Sequence, residues 1–351
     1  MVTPIVHILP LTTLRRERLL PVNGRVTARL DQKVLALDVV AEAAYGRQHL
    51  LLDVAQTFGI SAAQAQKLIL VKPGDTVQAN EPLAEQSGLT TRAVRAPKSG
   101  RVVLVEGAKI VLEVGETSYE LQASMPGIIS RIIPERGVEI TFHGALIQGV
   151  WGNGRLDTGM LLPLLESPND SLSAGQMDVS SHGSILLSGY CEDGRALQIG
   201  AELPLRGLIL GNLSPNLLPQ AMQMSYPIVV LDGFRKAPLN STAYRLLTTN
   251  AKREVTLNAQ PYNRHENIRP EIYIPLPVVE TPPMPREVLQ VAVGQTVRLT
   301  RAPYAGQIAT VVVLKEGLSL MPSGIRVPAA QVRLESGQEI VVPLANMEII
   351  G

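Results

Sequence analysis

The sequence predicts a multidomain, mainly β protein that includes a small α/β unit, and three observations lead there. Apolar and polar residues alternate between turn signals over residues 20–43 and again over 68–150. Strand-like and helix-like segments then alternate over 180–275, the pattern of a β-α-β-α-β unit with parallel strands. Finally, a proline-rich stretch at 270–285 gives way to residues 288–350, which are again almost entirely strand-like and suit a small closed or nearly closed barrel.

Taken in order, residues 20–43 ("LPVNGRVTARLDQKVLALDVVAEA") read as short hairpin strands around Gly24 and Asp31-Gln32. Residues 49–69 ("HLLLDVAQTFGISAAQAQKLI") change period and predict two short amphipathic helices, with Gly59 as the C-cap of the first and Ser61 as the N-cap of the second. A DNA-reading helix-turn-helix would need several basic residues for phosphate contacts. The second helix offers Lys67 alone, so a structural helical hairpin is expected. Strand signals return in 68–86, 100–115 and 127–149. In the α/β segment "YPIVVLDG" is the strongest strand and "LNSTAYRLLTTNA" the strongest helix, capped by Asn240 or Ser241. The expected division is 1–66 (β segment and helical hairpin, its strands joining the barrel that follows), 67–175, 176–275, a linker at 276–287, and a barrel at 288–351.

Composition bounds the function. The chain is 45% hydrophobic and 18% charged, which marks a folded chain rather than a disordered one. Lys plus Arg (32) and Asp plus Glu (31) nearly cancel, so no global basic footprint invites nucleic acid. A single cysteine, Cys191, excludes an internal disulfide and fits a reducing compartment. Pro10 and the Arg15-Arg16-Glu17-Arg18 run interrupt the apolar start, which therefore does not read as a signal peptide. No apolar run is long enough for a membrane helix, and a cytoplasmic protein without a membrane partner is expected.

Residues 68–150 resemble the barrel-sandwich hybrid of biotinyl and lipoyl carrier domains. The resemblance rests on Pro73-Gly74-Asp75-Thr76-Val77, Pro82-Leu83-Ala84, Ala96-Pro97 and Ser99-Gly100, with a second pass at Met125-Pro126-Gly127 and Arg136-Gly137-Val138. In those families the modified lysine sits on a hairpin about seven residues before the Ala-Pro pair. Here that position is Leu89, and Lys98 and Lys109 lie elsewhere, so no prosthetic group and no cofactor is expected. Residues 293–314 ("VGQTVRLTRAPYAGQIATVVVL") are similar to a KOW domain, with Gly306 at the turn. Arg298, Arg301, Lys315, Arg326 and Arg333 are spread along it and aromatic residues are 3% of the chain, so a protein-binding or structural barrel suits it better than an RNA platform. Most of residues 20–351 resembles an uncharacterised bacterial family that joins a carrier-like barrel to a small α/β domain, some members adding a KOW barrel. Its relatives read Glu-Gly-Phe-Gly where this chain has Asp232-Gly233-Phe234-Arg235.

Catalytic constellations are hard to assemble. The five histidines are scattered, Cys191 reads as a plain small residue, and "GALIQGVWGNG" lacks the lysine of a phosphate loop, with Trp151 as a packing anchor. A small-molecule site would belong at the carboxyl ends of the α/β strands. There Asn212, Asp232, Arg235, Arg264, His265 and Arg269 form the expected cluster, suited to an anion. The functional expectation is a binding or assembly protein whose barrels dock protein partners. Two alternatives stand beside it: a nucleic-acid- or ribosome-associated factor acting through the C-terminal barrel, and an enzyme subunit with its anion site in the α/β loops.

Overall fold

The computed structural model describes residues 5–87, 91–263, 268–285 and 290–351. It is mainly β, with several sheets and few helices. The largest sheet is built around one long strand, Gly137–Gln148, paired antiparallel with Ile8–Leu19 on one side and with Glu271–Pro275 on the other. From Glu271–Pro275 the sheet passes through Glu254–Asn258 to Leu156–Pro163 and then to Ser184–Cys191, Gly207–Leu213 and Ile228–Gly233. The last four strands are parallel. Three of them, Ser184–Cys191, Gly207–Leu213 and Ile228–Gly233, lie where strand-helix alternation predicts parallel strands. The fourth, Leu156–Pro163, comes from the segment expected to belong to the preceding barrel. The expectation that Glu254–Asn258 extends the parallel set is corrected: it runs antiparallel to Leu156–Pro163, with Leu156 opposite Asn258. A strand that leaves the helix Ser241–Thr249 through a short turn, beginning at Glu254 opposite Met160, enters the sheet in the reversed direction.

The sheet also closes on itself. Past Gln148 the chain changes neighbour: Gly149 donates its amide to Pro270 (2.8 Å), then Val150 donates to Val230 (2.8 Å), and Trp151–Gly152 pairs with Val229 and Val230. Period-two alternation therefore sorts side chains between an inside and an outside. Ile147, Leu187, Ile209, Leu231, Leu257 and Ile274 share one buried cluster, which the helix Ser241–Thr249 enters with Ala243 and Leu247. Their neighbours Leu186, Leu208, Leu210, Ile228 and Val230 face a second cluster, covered by the helices Gly194–Glu202 and Leu218–Gln223. This sheet draws strands from both sides of the division expected at 175/176 and takes Ile8–Leu19 from the N-terminal segment.

Two long antiparallel strands, Val39–Asp53 and Lys109–Gln122, carry the chain away from this body. Where Val39 meets Gln122 they belong to a core with Ile129, Phe142 and Tyr273. Where Asp53 meets Lys109 they belong to another, with Phe58, Leu83, Ile110 and Leu112. The second core holds the hairpin Pro82–Gln86/Arg92–Arg95 and the helical pair. Both helices form, as Val54–Phe58 and Ala62–Gln66, with Gly59 in the left-handed region (φ 71°) and Ser61 in a capping box. The first starts later than its apolar spacing suggests, because residues 49–53 remain in the strand, pairing with 109–113. Asp53 then ends the strand by accepting the Gln56 amide as the N-cap (2.9 Å).

The C-terminal segment forms a six-stranded sheet in the order Ile5–Val6, Met347–Ile350, Thr296–Leu299, Ile308–Leu314, Ala329–Leu334, Glu339–Pro343. Its first strand comes from the other end of the chain and runs parallel to Met347–Ile350, with Ile5 opposite Ile349. The proline-rich segment is tied down rather than free: Thr13 donates its hydroxyl to the Pro282 carbonyl (2.7 Å) and Thr12 to that of Pro283 (3.0 Å). No helix among the described residues is long and apolar enough to cross a membrane.

Candidate ligand-binding site

The carboxyl ends of the parallel strands Gly207–Leu213 and Ile228–Gly233, with the loop after the second, bring together three of the residues expected to form an anion site, and use each of them structurally. Asn212, fully buried, donates to the Ala237 carbonyl (3.1 Å). Asp232 accepts the amide (2.8 Å) and the side-chain nitrogen (2.6 Å) of Asn240, which in turn caps the helix Ser241–Thr249. Arg235 lies against Gly306 of the C-terminal segment, where an added β-carbon would stand 3.2 Å from its Nε. The six-stranded C-terminal sheet covers this edge further. Arg298 reaches across to donate to the Leu231 carbonyl (2.7 Å), lies 3.8 Å from Asp232, and holds Glu348 at 2.6 Å. Ser241, at the helix start, donates to Glu335 of the same segment (2.7 Å).

Arg269 joins this chain of charges from the other side, donating to Glu348 at 3.2 Å and lying 4.6 Å from the centre of the Tyr262 ring. Side chains of Asp232, Arg298 and Arg269 are 3%, 5% and 2% exposed, so the row is buried between domains. Burial pushes the Asp232 carboxyl up, with Arg298 and Asn240 opposing. Burial also pushes Glu348 up, but Arg298 and Arg269 outweigh it and hold that carboxyl below its ordinary value. Arg264 and His265 lie outside the described residues, as does Leu89 at the carrier position.

A cavity of about 310 Å³, with Arg269 in its lining, opens where Ile8–Leu19, Glu271–Pro275 and the turn at 123–125 meet. Its walls include Arg16, Arg18, Arg269, Gln148, Asn258 and Glu271. Strand alternation explains the set: in Leu14–Arg18 the even positions turn inward, leaving Arg15 and Glu17 exposed and Arg16 and Arg18 half-buried. Gln148 and Glu271 are register partners. Glu271 is fully engaged. One oxygen accepts from Arg16 (3.1 Å) and Gln148 (2.8 Å), and the other accepts the hydroxyl of Tyr273. Above it, the His7 amide donates to Gln148 (3.1 Å) and His7 Nδ1 lies 3.0 Å from the main-chain oxygen of Gly351.

Arg18 donates its Nε to the Gln122 carbonyl (3.2 Å), and burial draws its guanidinium below its ordinary value while leaving it charged. Among the described residues the buried Nε of Arg269 has no hydrogen-bond partner. Of this cavity the sequence reasoning had only Arg269. A signal existed in the alternation of "LRRER" and in a glutamate that opens the buried strand "EIYIP", but both are visible only once strands are assigned to those segments. Cys191 is buried, which raises its thiol to about 11, well away from thiolate chemistry at neutral pH.

Compared with known proteins, the chain matches no family model and no curated protein.

Proposed function

We propose that this chain acts by binding rather than catalysis, as an assembly protein whose barrels dock a protein partner. The observation that carries the reading is the covered α/β edge. Open α/β sheets take substrates beyond the carboxyl ends of their strands. Here that position is filled by the chain's own C-terminal barrel through Arg298, Glu335 and Gly306. We read the lobe around 54–115 as a barrel-sandwich hybrid of the biotinyl/lipoyl kind and the C-terminal sheet as a KOW-like barrel. The support is the Pro-Gly, Ala-Pro and Ser-Gly turns of the first and the turn at Gly306 (φ 80°) of the second.

The docking face assigned to the first lobe is its outer sheet surface. Val111 is the register partner of both Leu51 and Leu104, which are 62% and 47% exposed, so an apolar row crosses three strands. The tagged full chain, expressed in its own host, is expected to retain a stoichiometric protein partner. Replacing Leu51→Asp together with Leu104→Asp should release that partner without lowering the melting temperature. Undiminished retention by the double variant, or recovery of RNA instead of protein, would overturn the reading.

A further inference from the structure

We infer that the cavity between Ile8–Leu19 and Glu271–Pro275 is a receptor for a small organic carboxylate, held by Arg18 and the Nε of Arg269. The buried Arg269 Nε is the first support. A guanidinium N–H deprived of both water and protein partners costs free energy, and a ligand oxygen in the cavity would satisfy it. The second is the charge balance. Arg16 is matched by Glu271, Arg269 by Glu348, and the wall's Glu17 by Arg131. Among the described residues Arg18 pairs with no carboxylate and donates to the Gln122 carbonyl, and Arg15, also on the wall, pairs with none. The wall is therefore cationic on balance, with donors suited to the planar, two-oxygen geometry of a carboxylate.

The third is size and lining. About 310 Å³ is at the lower end of small-molecule pockets, enough for a metabolite rather than a lone ion. Leu14, Ala123, Met125 and Ile268 share the wall with the arginines. Such a wall matches a carbon body attached to a charged head better than it matches a hydrated phosphate dianion. Glu271 is poorly placed to hold a cation, because Arg16, Gln148 and Tyr273 already take three of its roughly four acceptor positions. Recognition therefore falls to the donors.

The test uses the full chain and reads both melting temperature and calorimetric affinity, with benzoate, succinate, citrate and inorganic phosphate as probes. At least one carboxylate should raise the melting temperature and bind with a measurable dissociation constant, and phosphate should not. Arg18→Gln, at a half-buried position, should weaken that binding about tenfold to a hundredfold, the loss expected for one charge-assisted hydrogen bond. Arg269→Lys keeps a cation beside Glu348 but removes the Nε donor, and should weaken binding similarly; because Arg269 is also buried against Glu348 and Tyr262, affinity is compared at temperatures where each variant remains folded. Binding of phosphate alone would overturn the carboxylate assignment. Carboxylate binding that survives both substitutions would overturn the location, and failure of all three carboxylates would overturn the site itself.

Discussion

Arg298 is the residue on which the docking of the C-terminal sheet turns. Its guanidinium faces a fully buried aspartate on one side and a shared glutamate on the other, and it donates to a carbonyl of the central sheet. Replacing it with methionine fills the volume but strands Asp232, so Arg298→Met should cost about 3 kcal/mol in urea unfolding. His7 supplies a pH dependence of known sign. Burial lowers its pKa below 6.5, against the main-chain oxygen of Gly351; Glu271 opposes the shift, and Arg16 and Arg269 add to it. A histidine depressed in the folded state is protonated first in the unfolded chain. Its contribution to stability is therefore complete above the ordinary value and is lost as pH falls through it. Urea midpoints should thus decline from neutral to mildly acid pH, and His7→Gln should flatten that part of the curve. A slope unchanged by the substitution would assign the acid sensitivity to other groups.

Among the elements, the strand Gly137–Gln148 bears the closest packing, with a partner on either side and core on both faces. At Gly144 (φ 155°) a β-carbon would stand 2.2 Å from the Ile274 carbonyl oxygen and 2.7 Å from the Phe142 ring. Neither neighbour can yield without breaking register, so Gly144→Ala should destabilise by about 4 kcal/mol, an exceptional value for one methyl group. Circular dichroism melts would show it directly. How far elements were legible follows from which signals are local. Gly59 and Ser61 announced the helical pair because caps are short-range chemistry. Residues 49–53 looked helical because three leucines in a row satisfy any apolar face, and only pairing with 109–113 decides for strand. The reversed direction of Glu254–Asn258 was likewise hidden: strand periodicity is the same in either direction. So was the cavity, whose arginines and glutamate lie on strands distant in sequence.

At the scale of the whole molecule, the unit at 288–351 is legible in the sequence as strands but not as an incomplete set. Its sheet needs Ile5–Val6, and Ile5 is buried in its core beside Val297 and Met347. Ile5→Asp should therefore loosen that sheet selectively, by about 2 kcal/mol. Hydrogen exchange would report it as faster exchange in Thr296–Leu299 and Met347–Ile350, with Ser184–Cys191 unchanged. Equal acceleration everywhere would mean that the C-terminal sheet has no separate stability. The same pairing sets a clock on biosynthesis. His7 and Gly351, which meet at 3.0 Å, are 344 positions apart, and at about 5–20 residues per second the ribosome takes roughly 20 to 70 seconds to make the interval. For that time Ile5–Val6 is a strand edge with no mate, exposed to whatever else in the cell can pair with it. The central sheet has all its strands once Pro275 has emerged, whereas the C-terminal sheet must wait for Ile350. Nascent chains stalled between those two points should carry a finished body with one loose thread, and a holdase would find its binding site there.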